Sequence, residues 1–340
     1  MSYEALKFEF REYFLGEQKM KRKPLPVGVD DYKELIEEGY YHVDKTLLIK
    51  ELLEKKAEVT LIPRPRRFGK TMNMSMLKYF FELTAEDRTH LFQDKLVWQD
   101  QECREHFGQY PVVFLSFKTI KESTISGAYL AIEELVAKEF DNHNYLLDSK
   151  NLTDRDKKIF IKIRNREALE IDVKNSLKSL SDFLCKHHGK AEIVLLDEYD
   201  TPSNSAYVEG YYKPMVDFLR NMLHEVFKGN NSLAFGVLTG IMRTAKEGIF
   251  SGLNNLKVCT LLSDQYADKF GFTQQEVDAS LQEYELTPKP DEIRKWYNGY
   301  SIGKNNKIQI YNPWSIINCL DNNGEIEIYW GNVSGNAVIK

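Results

Sequence analysis

The sequence contains little cysteine, no long apolar run and only a small excess of one charge. Four cysteines occur among 340 residues and none belongs to a Cys-x-x-Cys pair, so we expect reduced thiols. The longest apolar stretches have the length of strands, which excludes a transmembrane helix. The net charge of −5 argues against a protein that binds polyanions over its whole surface. These absences predict a soluble cytoplasmic protein without membrane contact.

The pattern of apolar residues predicts an α/β protein in which helices alternate with parallel strands. The predicted strands are residues 59–62, 111–117, 192–196, 233–238 and, more weakly, 257–262. Residues 171–188 have the pattern of one helix, whereas residues 141–166 are polar and predicted to be irregular. A hairpin is predicted over residues 296–311. We expect an N-terminal extension (1–25), a large domain (26–266) and a small winged-helix-like or lid domain (267–340).

One motif combines glycine, lysine and threonine between the first predicted strand and a predicted helix. The run from Arg64 to Thr71 ends in Gly-Lys-Thr, in the strand–loop–helix context of a phosphate-binding P-loop. Lys70 would reach the β and γ phosphates, and the Thr71 hydroxyl would bind Mg²⁺. Arg64 stands where the first glycine is usual, so the loop must enter by a different turn. The candidate phosphate-binding residues are Arg66, Arg67, Phe68, Gly69, Lys70, Thr71 and Met72.

Two acidic residues, Asp197 and Glu198, follow the four aliphatic residues of the third strand. A strand beside the P-loop strand ends this way in P-loop ATPases, where the aspartate holds the Mg²⁺ water shell and the glutamate polarises the attacking water. An ordinary parallel strand can also end in aspartate, and a Gly-Lys-Thr helix start can be a simple exposed basic turn. Both features together favour nucleotide binding.

A third candidate group follows the fourth strand. Thr239 would sense the γ-phosphate and Arg243 would neutralise charge there. The alternatives are an ordinary strand-end hydroxyl for Thr239 and a surface salt bridge for Arg243.

These motifs resemble the bacterial AAA-ATPase-like family, relatives of the STAND and archaeal-type P-loop ATPases that often carry a PD-(D/E)XK nuclease-like domain. The resemblance rests on residues 25–30, 41–46, 64–71, 195–202, 239–243, 250–256, 296–300 and 311–314. It implies phosphate and metal contacts for Lys70 and Thr71, a Mg²⁺ partner in Asp197 and a catalytic acid in Glu198. It also implies that Val43 and Asp44 lie near the adenine.

The fold expected for this class is a P-loop NTPase with a parallel sheet of order 5-1-4-3-2. The chain stops about where family members continue into the nuclease-like domain, and no Asp followed by Glu-x-Lys occurs in a strand context after residue 266. Nuclease activity is therefore not expected from these residues.

The predicted activity is Mg²⁺-dependent hydrolysis of ATP that switches the conformation of a partner domain or protein. One alternative is a nucleotide-gated binding module with little turnover. Another is a DNA-associated protein that uses Arg64, Arg66, Arg67 and the basic cluster at residues 19–23.

Overall fold

The computed structural model describes residues 22–241, 248–286 and 290–329. Its larger part is built on five parallel strands: β1 (Val59–Pro63), β2 (Val112–Ser116), β3 (Glu192–Asp197), β4 (Leu233–Gly240) and β5 (Leu256–Val258). The strands β1 and β3 are buried along their whole length, as expected where helices cover both faces of a parallel sheet.

The strand order is β2-β3-β4-β1-β5, which is 5-1-4-3-2 when counted from the β5 edge. The strand that follows the acidic pair, β4, lies between β1 and β3. The expectation that Asp197 ends a strand directly beside the P-loop strand is therefore wrong. The carboxyl ends of β1, β3 and β4 still meet at one edge of the sheet because all three strands are parallel.

Helices surround this sheet. They are α1 (Tyr32–Glu37), α2 (Leu47–Lys55), α3 (Lys70–Phe81), α4 (Gln101–Glu105), α5 (Ile125–Asn142), α6 (Asp154–Arg164), α7 (Glu170–Lys174), α8 (Ser176–His188), α9 (Thr201–Glu209) and α10 (Tyr212–Phe227). No helix in the described part of the chain combines the length and the apolar character needed to cross a bilayer.

Two predictions for this region are wrong. Residues 141–166 are not irregular, because they contain α6, whose first turn is held by a capping box between Thr153 and Asp156. The helix α6 also buries Phe160 and Ile163, three residues apart on one face. The helix predicted over residues 171–188 is interrupted at Asn175, so that it forms α7 and α8.

The described residues of the C-terminal part combine three helices with a small antiparallel sheet of order β6-β8-β7. Its elements are β6 (Phe272–Thr273), α11 (Gln274–Glu283), α12 (Pro290–Tyr297), β7 (Tyr300–Ile302), β8 (Ile308–Tyr311) and α13 (Pro313–Asp321). The predicted hairpin is present as β7 and β8, but its first two residues, 296 and 297, belong to α12, and its turn lies at Gly303, with φ of 107°.

The C-terminal part packs directly on the parallel-sheet part. Ile302 and Ile310 of the hairpin lie in the same apolar cluster as Ile62 of β1 and Phe68 of the loop that follows it. The side chains of Lys45 and Glu276 form an ion pair across this contact, with Nζ 2.6 Å from the nearer carboxylate oxygen. The contact places the small sheet beside the carboxyl end of β1. The division at residue 266 stays a prediction, and residues 1–21 of the expected N-terminal extension lie outside the described residues.

Candidate functional site

The loop between β1 and α3 leaves the carboxyl end of the sheet and turns sharply into a helix. Its first backbone amide, that of Arg64, still pairs with the Gly240 carbonyl of β4 at 3.0 Å. The turn then needs left-handed backbone at two positions, Arg67 (φ 67°) and Gly69 (φ 76°). Glycine adopts this conformation without steric cost, whereas the arginine is strained there. The helix α3 begins at Lys70, so its unpaired first amides lie at the end of the loop.

Arg64 explains how the loop forms without its usual first glycine. Its guanidinium is completely buried and donates to three carbonyl oxygens, those of Pro63 (2.9 Å), Cys259 (2.8 Å) and Tyr266 (3.0 Å). Burial lowers the pKa of Arg64 to about 10. The side chain therefore ties the end of β1 to the segment after β5. A completely buried guanidinium cannot contact DNA, so Arg64 is withdrawn from the DNA-binding hypothesis.

Lys70 points back across the loop. Its Nζ donates to the carbonyl oxygens of Arg64 (3.1 Å) and Pro65 (2.9 Å) and lies 3.1 Å from a carboxylate oxygen of Glu198. Only 4% of the residue is exposed. The sequence places Lys70 and Glu198 far apart, and the fold brings their charges into contact at the edge of the sheet.

Asp197 lies at the centre of a group of hydroxyls. One oxygen accepts from Thr71 Oγ1 (2.8 Å) and Ser116 Oγ (3.0 Å), and the other accepts from Thr239 Oγ1 (2.7 Å). The carboxylate is fully buried, and the three donors replace the water that burial removes. Ser116 was missed from sequence, although a polar residue at the end of the apolar run of β2 is a usable signal.

Glu198 follows β3 in a left-handed conformation, with φ of 51°, and its side chain is 17% exposed. Burial raises the pKa of Glu198, and the carboxylates of Asp197 and Asp200 raise it further, while Lys70 opposes them. A carboxyl group with a raised pKa beside a cavity has the properties of a proton acceptor near neutral pH.

A cavity of about 370 Å³ opens in front of the loop. Its walls come from distant parts of the chain: residues 26–30, residues 41–43, residues 67–73, Glu198, Pro313 and Trp314. Four lining side chains carry positive charge (Lys45, Arg67, Lys70 and Lys269), and two are carboxylates, Asp30 and Glu198. The cavity is thus suited to an anionic ligand with an apolar portion.

The other predicted site residues do not all line the cavity. Phe68, Gly69, Thr71, Met72 and Val43 line the cavity. Arg66 is exposed and does not line it. Asp44 is turned away, since its carboxylate accepts from Thr46 and from the Leu96 amide. Thr239 is buried behind Asp197 instead of lining the cavity. Arg243 lies outside the described residues.

The oxygen atoms near Thr71 match the preferences of Mg²⁺. This ion usually takes one or two protein oxygens and keeps several waters. The Thr71 hydroxyl and the Asp197 carboxylate are adjacent and would supply such oxygens. Within the described ranges no group of three or more His, Cys, Asp or Glu side chains is arranged to hold a metal ion.

Residues 26–250 match the family described as "Predicted AAA-ATPase", and the chain belongs to this AAA-ATPase-like family. Membership indicates an ATPase-type, nucleotide-binding domain. The chain is also similar to an "Uncharacterized protein in vnfD 5'region" of Azotobacter chroococcum mcd 1, with 28% identity over 322 residues. The aligned part covers 92% of this chain and 54% of that protein, so the chain spans about half the length of the curated relative it matches.

Proposed function

We propose that this chain is a P-loop NTPase that binds ATP with Mg²⁺ in the cavity and hydrolyses it. The observation that carries the proposal is the convergence of two pairs, Thr71 with Asp197 and Lys70 with Glu198, beside one cavity. The family match supports the same class of domain. The volume of about 370 Å³ and the excess of lining cations over carboxylates suit a nucleotide polyphosphate.

Phosphate oxygens would be bound by the amides at the start of α3 and by the ammonium of Lys70. Helix N-termini present unpaired N–H donors and partial positive charge, which favours anions. The incoming phosphate would replace Glu198 and the two loop carbonyls as the partner of Lys70. Nucleotide binding would therefore release the Glu198 carboxylate from its ion pair.

The released carboxylate would act as the base for hydrolysis. Glu198 would accept a proton from the water whose oxygen attacks the γ-phosphorus, and the bond to the β-phosphate oxygen would break to give ADP. Its raised pKa favours proton acceptance. Thr71 and Asp197 would hold Mg²⁺, which supplies charge neutralisation on the phosphates when bound.

The C-terminal part would be a winged-helix-like unit that responds to nucleotide. Support comes from its position, since Pro313 and Trp314 of α13 form part of the cavity wall. A wall that belongs to another part of the fold can be displaced or held by the ligand, and this is how a nucleotide would change the conformation. We propose that the change acts on a partner domain or protein, as a conformational switch.

Calorimetry with ATP and Mg²⁺, together with a phosphate-release assay, tests this function. Lys70→Ala should abolish ATP binding. Glu198→Gln should retain binding and stop turnover, because it keeps the shape but cannot accept the proton. Lys78→Ala is the matched control, because Lys78 lies two turns further along α3 and outside the cavity.

A wild-type protein that binds ATP without releasing phosphate would favour the alternative of a binding module with little turnover. The ion pair of Glu198 with Lys70 is an observation that fits such a resting state. Unchanged ATP binding by Lys70→Ala would contradict the assignment of the site itself.

A further inference from the structure

Arg67 of the loop and Trp314 of the C-terminal part face each other at the cavity. The guanidinium carbon of Arg67 lies 4.1 Å from the centre of the Trp314 ring system. Both residues line the cavity. The contact is a cation–π stack between two parts of the fold that are more than 200 residues apart in sequence.

The Trp314 ring is held by its own part of the chain. Its backbone amide donates to Asn312 Oδ1 at 2.9 Å, and its indole Nε1 donates to the Tyr329 carbonyl at 3.3 Å. Asn312 is the N-cap of α13 and is 4% exposed. Because these hydrogen bonds fix the ring without the help of Arg67, the ring can stack against the guanidinium and hold it in one position.

One hydrogen-bond donor of Arg67 has no acceptor in the described part of the chain. Its Nη1 is buried, and within the described ranges no hydrogen-bond acceptor lies within reach of that nitrogen. A charged donor without an acceptor is costly when it is buried. A guanidinium stacked by its face still presents N–H groups along its edge, in the geometry that phosphate oxygens accept. An anion in the cavity would accept hydrogen bonds from these N–H groups of Arg67.

We propose that Trp314 is a positioning residue for nucleotide: it holds the edge of the Arg67 guanidinium toward the phosphates. The inference rests on the proposed function and adds a regulation to it. The C-terminal part then sets the affinity for phosphorylated nucleotide. By linkage, bound nucleotide holds α13 against the loop, and a partner that draws α13 away weakens nucleotide binding by the same factor.

The Lys45–Glu276 ion pair supports this coupling from another side of the cavity. Lys45 lines the cavity, and Glu276 lies in the first turn of α11 in the C-terminal part. The Lys45 ammonium also donates to the Asp268 carbonyl at 2.8 Å. Two separate contacts therefore join cavity-lining cations to the C-terminal part.

The test is calorimetry with ATP, ADP and adenosine, with Mg²⁺ in excess, on the full chain. Trp314→Leu should weaken ATP and ADP binding roughly three- to tenfold, the range of a partly buried cation–π contact, and leave adenosine binding unchanged. Trp314→Phe should restore most of the affinity. In the Arg67→Ala background, Trp314→Leu should have no further effect, because the ring acts only through the arginine.

Trp296→Leu is the control, since Trp296 is 53% exposed on α12 of the same part and does not line the cavity. Equal loss of adenosine and ATP affinity in Trp314→Leu would overturn the inference, because the ring would then bind the base. Independent, multiplying effects of the two substitutions would overturn it as well. If Trp314→Leu does not fold, Arg67→Ala with Trp314→Phe provides the same cycle.

If the proposed function is wrong, the ATP-binding measurements give a different result. In that case wild type and Lys70→Ala are alike in not binding ATP, and the inference falls with it. A wild type that binds ATP beside an unchanged Trp314→Leu would contradict the inference alone.

Discussion

The Thr71 hydroxyl lies 2.8 Å from a carboxylate oxygen of Asp197, although β4 separates the strands that lead to these two residues. The contact is possible because Asp197 lies at the carboxyl edge, where it also accepts from the ends of both neighbouring strands, Ser116 on β2 and Thr239 on β4. The three donors that hold this carboxylate in place are neutral hydroxyls, and none of these three contacts involves a cation. The carboxylate is thereby oriented before any ligand binds, which lowers the cost of ligand binding.

Asp197→Asn should therefore affect metal-dependent binding more than folding. The amide keeps the size of the carboxylate and one acceptor oxygen, but it lacks the charge that attracts Mg²⁺. We expect ATP affinity to lose its dependence on Mg²⁺ and turnover to fall roughly 100-fold or more, as when one electrostatic contact to a reacting phosphate is removed. Titration of ATP with and without Mg²⁺ measures the effect.

Asp217→Asn provides the control for that experiment, because Asp217 is a half-exposed carboxylate on α10 that pairs with Arg220. It should behave as wild type. A Mg²⁺ dependence that Asp197→Asn leaves intact would show that the metal is bound elsewhere.

Much of this edge could be predicted from local sequence, because Asp197 and Thr239 end recognisable strands and the loop after another strand leads to Lys70 and Thr71. Each of these features is preceded by an apolar run, and parallel strands bring their carboxyl ends together. The walls of the cavity could not be predicted in this way. Residues 26–30 and Trp314 reach the loop only through tertiary packing, and no periodic pattern in the sequence encodes that contact.

Arg64 is a second feature that sequence alone could not explain. Arg64 occupies the position at which the motif usually has its first glycine. Its structural role depends on hydrogen bonds to carbonyls that lie about 200 residues later in the chain. The helix α6 differs, because its capping box Thr153–Asp156 is visible in the sequence as a signal for a helix start within a polar segment.

Arg64→Leu should destabilise the protein strongly. The substitution leaves the buried carbonyls of Cys259 and Tyr266 without this donor. Each unsatisfied acceptor lowers the free energy of unfolding. We expect a loss of about 3 kcal/mol, measured by urea unfolding. Arg66→Leu is the matched control in the same loop, because Arg66 is exposed, and it should change stability by less than about 0.5 kcal/mol. Equal stability of the two variants would contradict the role of Arg64.

The raised pKa of Glu198 predicts opposite pH dependences for turnover and for binding. As the pH falls through that pKa, which lies above the ordinary value of 4.5, the carboxyl group takes up a proton. Turnover should then fall because the base is neutralised, whereas ATP should bind more tightly because Lys70 loses its competing partner. General acid unfolding would weaken both, so the opposite signs identify Glu198.

Measurements of kcat and of ATP affinity between pH 4.5 and 8 test this prediction, with thermal unfolding as a check of folding at each pH. Glu198→Gln should remove the pH dependence of binding over this range. A parallel decline of both quantities in wild type would contradict the competition between Glu198 and phosphate for Lys70.

Glu192, at the start of β3, makes stability depend on pH in a region remote from the cavity. It is fully buried, and the Ser181 hydroxyl contacts one of its carboxylate oxygens while the other has no hydrogen-bond partner in the described ranges. Burial raises the pKa of Glu192 from 4.5 to about 7, and the Ser181 hydrogen bond opposes this shift. Between these two pH values the unfolded chain is ionised at this residue while the folded chain still holds the proton.

The free energy of unfolding should therefore decrease as the pH rises from 4.5 to 7 and level off above that, by about 3 kcal/mol from this residue. Glu192→Gln carries no ionisable group, so it should remove this slope and be more stable than wild type at pH 8. Glu54→Gln, which alters a mostly exposed carboxylate on α2, should keep the slope. Urea unfolding at pH 5 and pH 8 decides the matter: a slope that survives in Glu192→Gln must come from another buried group, and Glu192 would then be ionised in the folded protein.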